Sequence, residues 1–246
     1  MNHSNVIITP QYPVLVSEYD NTAHVLVRFQ APEHLEKQTK RSNLNLAIVL
    51  DRSGSMSGHP IKEAKRCASY MIDQLSKEDR AAIVIYDDEV ELLAPCTHVV
   101  NKDDFFMKLQ LVHSRGMTNL HGGWLRGAEE IAQYASSDSI TRVILLSDGL
   151  ANKGLTDPDA IKKQCSELAQ AGVTTSTYGL GNDFNEELMV GMARAGQGVP
   201  YYGETADDLL DPFQEEFSLL SSLFAKETKM KLKLAKNIRA EILNQY

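Results

Sequence analysis

The chain has 246 residues, which is enough for one large domain, or for one domain with a smaller appendage, around a full hydrophobic core. Its composition, 43% hydrophobic and 24% charged, is ordinary for a globular protein, and no apolar run reaches the roughly 18 residues of a membrane span. The net charge of −8 argues against broad binding to nucleic acids, and the N-terminus carries no secretory signal pattern, which favours a cytoplasmic location.

Segments near both ends of the chain alternate polar and apolar residues, as half-buried antiparallel strands do. They are HVLVRF, residues 24–29, and the basic KMKLKLA, residues 229–235. We predict a small antiparallel β appendage formed by the terminal segments, with 1–42 and 227–246 as its two parts. The pattern leaves open whether these strands pair with each other or with further polypeptide.

The middle of the chain, residues 43–226, alternates between strand and helix patterns. Continuous β-branched runs predict buried strands over 45–50, 81–86, 142–147 and 173–180, a short last strand over 200–204, and an irregular antiparallel edge strand over 91–100, where Pro95 cannot donate to a ladder. Amphipathic stretches predict helices over 61–75, 103–112, 120–135, 158–172, 185–196 and 206–224. This order predicts an α/β fold with a Rossmann-like, doubly wound, mostly parallel sheet flanked by helices, in which ligands bind beyond the carboxyl ends of the strands.

The first buried strand runs directly into a loop of small oxygen-bearing residues, LAIVLDRSGSMSG, residues 46–58. Asp51, Ser53 and Ser55 offer three oxygen ligands of the kind that a hard divalent cation prefers. The loop lacks the glycine patterns of phosphate-binding and dinucleotide-binding loops, and its leading acid would repel a phosphate. The same residues could instead shape a turn and cap the following helix, a role that does not exclude a metal.

Two more loops at the same predicted edge carry further oxygen ligands. Thr118 lies in SRGMTNLHGG, residues 114–123, close to a helix start. Asp148 ends another buried strand in LLSDGLAN, residues 145–152. With the first loop, these residues predict an all-oxygen site for a divalent cation, built from three loops.

These motifs resemble the von Willebrand factor type A family. The metal-ion-dependent adhesion site (MIDAS) of that family is written D-x-S-x-S, then a distant Thr and a distant Asp, and the matching residues here are Asp51, Ser53, Ser55, Thr118 and Asp148. The resemblance covers roughly residues 44–225, and the stretches DRSGSM, GxTNLxGG and DGLAN are similar to those of bacterial members, which often adjoin β-sandwich modules. It identifies residues 43–226 as the type A domain.

The resemblance also implies how the site works. In the family the serine and threonine hydroxyls usually contact the metal, while the aspartates act directly or through water. Mg²⁺ is the expected ion, with Mn²⁺ or Ca²⁺ as alternatives. Neutral hydroxyls leave the ion incompletely neutralised, so an Asp or Glu of a partner protein can complete its shell. The implied function is a divalent-cation-dependent protein-binding module, not an enzyme, with no nucleic-acid partner and no membrane span.

Two other classes of function stay open. One is a metal-dependent hydrolase, for which His59, His113 and His121 are candidate bases near the metal loops, although a surface role is favoured for each. A phosphatase of the D-x-D-x-[TV] type is disfavoured because Ser53 occupies the position of its general acid. The other class is a structural domain of a larger assembly that the metal stabilises.

Two acidic segments suggest sites that we rank lower. Asp87, Asp88 and Glu89 follow a predicted strand and indicate a solvated turn rather than a second cation site. In GNDFNEE, residues 181–187, the acids lack the spacing of a calcium loop, and we expect Asn182 or Asp183 to cap the next helix.

Two residue types are assigned structural roles. The three cysteines form no CxxC pair and no disulfide framework, and Cys67 and Cys165 fall in predicted helices as buried thiols. Trp124 is expected to pack in the core, and Gly122 and Gly123 are expected to allow close backbone approach near the metal loops.

Overall fold

The computed structural model describes residues 5–14, 16, 19–30, 41–148, 151–180, 185–221 and 230–243. The chain divides into two units, one of residues 1–39 together with 223–246 and one of residues 40–222.

The smaller unit contains an antiparallel pair of strands, β1 (Asn5–Pro10) and β2 (Val25–Gln30). They pair in register from Asn5 opposite Gln30 to Pro10 opposite Val25. The small antiparallel sheet is therefore confirmed, and β2 matches the predicted strand at 24–29 within one residue. Strand β1 was not predicted, although its run of Val6, Ile7 and Ile8 is typical of a strand.

The predicted strand at 229–235 was wrong over the part that the structure describes. Residues 230–243 form no strand. Met230, Leu232 and Leu234, the alternating apolar residues, are each about half exposed, at 47%, 54% and 48%. Alternating residues form a strand only where one face becomes buried and a neighbouring strand pairs with the backbone. The sequence pattern alone does not show whether either condition is met.

The larger unit has the predicted order of strands and helices. Its strands are β3 (Asn43–Asp51), β4 (Arg80–Tyr86), β5 (Val90–His98), β6 (Ser139–Ser147), β7 (Val173–Leu180) and β8 (Gln197–Gly203). Its helices are α1 (His59–Gln74), α2 (Lys102–Gln110), α3 (Leu120–Ala132), α4 (Pro158–Gln170), α5 (Glu186–Ala195) and α6 (Ala206–Ser221). The last strand begins three residues before its predicted start, and residues 222–224 of the predicted last helix lie outside the described residues.

One six-stranded sheet organises this unit, in the order β5-β4-β3-β6-β7-β8. All neighbours are parallel except β5, which is antiparallel to β4 at the edge, as predicted. Strand β3 lies where the strand order reverses, with β4 on one side and β6 on the other. In open α/β sheets this switch point is where ligands bind, beyond the carboxyl ends of the strands.

Helices cover both faces of the sheet, so that β3 is buried on both sides. Leu46, Ile48 and Leu50 pack in the same cluster as residues of α1 and α6, while Ala47 and Val49 pack with residues of α3 on the other face. The predicted core role of Trp124 is confirmed, since its side chain is fully buried. Because both faces of β3 are covered, the chain reaches solvent after this strand only in the loop that follows Asp51.

A buried ion pair fastens α6 to the sheet. Glu216 on α6 is 1% exposed and accepts hydrogen bonds from Arg142 on β6, from the Ser176 hydroxyl at 2.5 Å and from the Tyr178 hydroxyl at 2.6 Å. Burial, followed by the charge of Glu216, raises the pKa of Tyr178 well above its ordinary value. The phenol therefore stays protonated and remains a donor to the carboxylate.

In the described ranges, no helix combines the length and apolar character needed to cross a bilayer.

Candidate metal centre

The candidate centre begins with a buried carboxylate at the end of β3. Asp51 lies opposite Tyr86 in the β3–β4 pairing, and Leu50 lies opposite Leu146 in the β3–β6 pairing, which brings Ser147 beside Asp51. The Asp51 side chain accepts hydrogen bonds from the Ser53 amide at 2.8 Å, the Ser147 hydroxyl at 2.6 Å and the Tyr86 hydroxyl at 3.2 Å. These three donors hold the carboxylate in one orientation.

The two serines of the motif lie together in the turn after Asp51. Their hydroxyl oxygens are 3.0 Å apart, with Ser53 buried and Ser55 exposed. The turn is a single 3₁₀ turn, Gly54–Met56. Helix α1 begins after it at His59, with Gly58 at the N-cap position and no side-chain cap. The serines therefore shape a turn but do not cap the following helix, and their hydroxyls remain beside Asp51.

The loop that carries Thr118 is hydrogen-bonded to this turn. The Gly54 amide donates to the Gly116 carbonyl at 3.0 Å, and the Arg115 amide donates to the Arg52 carbonyl at 2.7 Å. Gly116 has φ +70°, and a Cβ there would lie 3.0 Å from the Asp88 carboxyl group, so only glycine fits without strain. These contacts fix the loop that leads to Thr118, which is 2% exposed.

The third loop is hydrogen-bonded to the second. The Thr118 amide donates to Asn152 Oδ1 at 2.8 Å, and the amides of Asn152 and Lys153 both donate to the Thr118 carbonyl at 3.2 Å. Asp148, at the start of this loop, is 8% exposed, and residues 149–150 lie outside the described residues. The three loops predicted to carry the oxygen ligands are thus joined to one another at the carboxyl edge of the sheet.

The centre concentrates negative charge in a buried place. Burial raises the pKa of Asp51 to about 6, and although hydrogen bonds from Ser147 and Ser53 oppose this shift, the charge of Asp148 adds to it. Burial, followed by the charge of Asp51, also raises the pKa of Tyr86 well above its ordinary value, so the phenol remains a donor. Two carboxylates that repel each other in a desolvated site are a favourable setting for a cation.

The side chains described at this edge of the sheet offer carboxylate and hydroxyl oxygens rather than imidazole or thiolate groups. Among the described residues there is no group of three or more His, Cys, Asp or Glu side chains placed to hold a metal. Three histidines were named as candidate bases. The Nε2 atom of His121 lies 2.7 Å from Gln164 Oε1, and the Nε2 atom of His59 lies 3.7 Å from Glu63 Oε1. His113 is exposed. An all-oxygen donor set suits Mg²⁺, Mn²⁺ or Ca²⁺.

The solvated turn predicted for residues 87–89 was wrong for Asp87, which is 1% exposed. One of its carboxylate oxygens lies 2.9 Å from Arg52 Nε and 2.6 Å from Arg115 Nε, and the exposed Glu89 contacts Arg115 at 3.1 Å. Two guanidinium groups thus occupy the space that a second cation would need.

Sequence reasoning also missed the residues that support the predicted ligands. Tyr86, Ser147 and Asn152 hold Asp51 and the Thr118 loop, but each belongs to an apolar strand or a loop whose pattern reports burial and not hydrogen-bond partners. The expected cap at Asn182 or Asp183 lies outside the described residues. The described cap of α5 is Asn185, which accepts the Leu188 amide at 3.1 Å.

Close packing of Tyr86 against α3 depends on Gly123, because a Cβ there would lie 2.3 Å from the Tyr86 ring. We expect Gly123→Ala to displace the ring and to lower the free energy of unfolding by about 1–3 kcal/mol, as overpacking does. Gly191→Ala is the matched control. Its Cβ would meet only the flexible Lys162 side chain, so helix propensity should leave stability unchanged or raised by up to about 1 kcal/mol. Urea unfolding measures the free energy of unfolding of both variants. Equal losses in Gly123→Ala and Gly191→Ala would contradict the proposed role of Gly123 in packing Tyr86 against α3.

Comparison with known proteins finds a match to the family model described as von Willebrand factor type A domain over residues 45–215, more than half of the chain. An uncharacterized protein of Synechocystis sp., sll0103, is 27% identical over 214 residues, which is 87% of this chain and 50% of that protein. The inter-alpha-trypsin inhibitor heavy chain H3 of Homo sapiens is 28% identical over 202 residues, 77% of this chain and 22% of that protein. The chain thus spans half or less of the length of these curated relatives.

Two solved structures share the fold at low sequence identity. The von Willebrand factor type A protein from Catenulispora acidiphila has a TM-score of 0.67 and 21% identity, covering 89% of this chain and 50% of that one. Proximal thread matrix protein 1 from the mussel byssus, solved with a zinc-occupied MIDAS motif, has a TM-score of 0.60 and 21% identity, covering 73% of this chain and 46% of that one.

Proposed function

Because the chain belongs to the von Willebrand factor type A domain family, we propose that residues 40–222 bind a divalent cation and, through it, an acidic side chain of a partner protein. One observation carries the proposal: three hydrogen-bonded loops bring buried carboxylates and hydroxyls to the switch point of the sheet. The zinc-occupied MIDAS motif of the mussel protein, which shares this fold, supports the same assignment.

The residues proposed to hold the cation are Asp51, Ser53, Ser55, Thr118 and Asp148. Their chemistry fits Mg²⁺, since two carboxylates balance its double charge and the hydroxyls add neutral oxygens. Asp51 is already oriented by its three donors, so little reorganisation is needed when a cation binds. The bound cation supplies the positive charge that attracts a carboxylate of the partner.

The exposure of the ligands favours binding over catalysis as the proposed activity. Ser55 is exposed, whereas Asp51 and Thr118 are buried, so we expect a partner to approach the cation from the side of Ser55. The Asp51 carboxylate accepts its described hydrogen bonds from hydroxyl and amide groups, and not from a histidine. We therefore propose a protein-binding module that is not an enzyme, with a protein partner that presents Asp or Glu, and Mg²⁺ as the resident ion.

Removing either carboxylate is expected to abolish Mg²⁺ binding. We predict that Asp148→Ala and Asp51→Ala give no heat of binding in calorimetric titrations with Mg²⁺ or Mn²⁺, while circular dichroism still reports the folded α/β domain. The loss is expected because one remaining carboxylate leaves half of the ion's charge unbalanced. Asp104→Ala, which changes an exposed carboxylate on α2, is the matched control and should bind as the wild type does.

A partner capture experiment tests the second half of the proposal. Immobilised wild-type protein should retain a partner from extracts of the source cells in Mg²⁺ and release it in EDTA, and Asp148→Ala should retain none. Unchanged metal affinity in both alanine variants would remove the site from consideration. If EDTA does not release the partner, the metal does not mediate partner binding, and its role would be to stabilise the domain.

A further inference from the structure

The turn between β4 and β5, residues 87–89, contacts two of the three loops of the candidate metal centre. It contacts Arg52 in the first loop and Arg115, Met117 and Asn119 in the second. None of its side chains is a predicted ligand. Its contacts nevertheless determine how the first two loops meet, which gives this turn a role in the site.

The Asp87 carboxylate joins two arginines that come from different loops. One carboxylate oxygen lies 2.9 Å from Arg52 Nε and 2.6 Å from Arg115 Nε. Arg52 is 8% exposed and follows Asp51 directly in the sequence. The other acidic partners of these arginines, Glu91 and Glu89, have side chains that are 53% and 77% exposed, so solvent screens them. Asp87 is therefore the buried counter-ion between the two loops.

The same turn holds the residues on both sides of Thr118. Asp88 Oδ1 accepts the Met117 amide at 2.6 Å, and the Asp87 carbonyl accepts the Asn119 amide at 2.9 Å. These two hydrogen bonds fix the backbone on either side of Thr118. The turn thus contributes to where the backbone of Thr118 lies relative to the Asp51 loop.

We propose that Asp87 is a positioning residue for the candidate metal centre, because it holds the Thr118 loop against the Asp51 loop and neutralises two guanidinium groups beside the site. The inference rests on the proposed function, since it concerns affinity for the same cation. Without the Asp87 charge, only the exposed Glu91 and Glu89 would offset the positive charge of Arg52 and Arg115 next to the proposed cation site. Both effects act in the same direction, towards weaker binding.

The protonation state of Asp87 is consistent with this role. Burial raises the pKa of its carboxyl group, but the Glu89 amide and the guanidinium groups of Arg115 and Arg52 outweigh burial and hold the pKa below its ordinary value. The group is therefore ionised at neutral pH.

The test is a double-mutant cycle on Mg²⁺ affinity, measured by calorimetric titration of the full chain. Asp87→Asn keeps the shape of the side chain and removes its charge, and we expect the Kd for Mg²⁺ to rise by about 10–100-fold, as for other residues that support metal ligands. Thr118→Ala should also weaken binding. Because Asp87 acts partly through Thr118, the double variant should bind more tightly than the two single effects predict when multiplied.

A matched control and a second readout keep the test decisive. Glu89→Gln removes an exposed partner of the same arginine, Arg115, and should change the Kd by less than about 2-fold. Hydrogen exchange of the amides of residues 115–119 in the metal-free protein should accelerate in Asp87→Asn and not in Glu89→Gln. If Asp87→Asn does not fold, Arg115→Gln breaks the same bridge from its exposed end. Because this variant also removes a positive charge beside the site, it isolates the positioning effect, and it should accelerate the exchange of the same amides while raising the Kd by less than Asp87→Asn does.

The outcomes separate this inference from the proposed function. A wild-type protein that binds no divalent cation would overturn both. Wild-type binding together with an unchanged Kd in Asp87→Asn would overturn only the role of Asp87. Full additivity with Thr118→Ala would overturn the positioning role, because Asp87 would then act on affinity through its charge alone and not through the loop that it is proposed to position.

Discussion

Asp51→Asn is expected to stabilise the metal-free protein while it removes the response to Mg²⁺. Burial raises the folded-state pKa of Asp51 to about 6 from an ordinary value of 3.8, so ionising the buried group costs about 3 kcal/mol of folding free energy at pH 7. Asparagine keeps the acceptor for the Ser53 amide and carries no charge. We expect the free energy of unfolding in EDTA to rise by about 1–3 kcal/mol, measured by urea unfolding. Mg²⁺ should then stabilise the wild type and not the variant.

The pH dependence gives this prediction a sign that can be checked. A carboxyl group with a raised pKa binds more protons in the folded state, so its penalty is absent below about pH 4 and is complete above about pH 6. In EDTA the gain from Asp51→Asn should therefore be largest at pH 7 and should vanish as the pH falls towards 4. Affinity of the wild type for Mg²⁺ should fall over the same interval, because protons compete for the ligand.

A matched substitution separates burial from a general effect of charge. Asp104→Asn removes an exposed carboxylate from the first turn of α2 and should change the free energy of unfolding by no more than about 0.5 kcal/mol. An Asp51→Asn variant that is less stable than the wild type in EDTA at pH 7 would contradict the prediction. The hydrogen bonds that the wild-type Asp51 carboxylate accepts from Ser147 and Tyr86 would then outweigh the cost of burying its charge.

Asp51→Asn is thus expected to stabilise the metal-free protein and to remove the stabilisation by Mg²⁺, and these opposite signs indicate how the site works. The buried carboxylate of Asp51 feels the charge of Asp148. In the proposed site, a bound cation would offset both the desolvation and the repulsion, so we expect binding to restore the free energy of folding that is lost at Asp51. This coupling favours a site that is ordered before binding, since its cost is already present in the folded protein.

The sequence was sufficient to predict the α/β sheet and the loops of the site, because both depend on local patterns. Strand β3 is buried on both faces and has a continuous apolar run, so the pattern predicts a strand over 45–50, and the structure extends it to Asn43–Asp51. The motif then predicts which loops carry oxygens. Their convergence follows from the topology, since the ends of parallel strands meet at one edge of the sheet.

What could not be predicted depends on contacts between residues that are distant in the sequence. Asp87 is preceded by a strand and followed by two acids, a pattern that is typical of a solvated turn, yet two arginines from other loops bury it. The basic segment 230–235 alternates like a strand but remains exposed. Periodicity predicts which residues prefer burial, whereas counter-ions and partner strands are decided by the rest of the fold.

Glu216→Leu is expected to cause a large loss of stability in the type A domain. Arg142 on β6 has a side chain that is 10% exposed and pairs with the buried Glu216 of α6. Leucine would leave this guanidinium without its counter-ion and would leave the hydroxyls of Ser176 and Tyr178 without their acceptor. Removing one partner of such a pair costs about 3–5 kcal/mol, and we expect a loss of this size by urea unfolding.

Two further variants identify the cause of that loss. Glu215→Leu changes an exposed carboxylate on the same helix and should alter stability by no more than about 0.5 kcal/mol. Combining Glu216→Leu with Arg142→Met removes both charges and should recover most of the loss, because an apolar pair replaces a buried ion pair at little cost. A double variant as unstable as Glu216→Leu alone would assign the loss to the packing of α6. Recovery of stability in the double variant would assign the loss to the unpaired guanidinium of Arg142. The ion pair would then contribute more to the position of α6 on the sheet than to the free energy of unfolding.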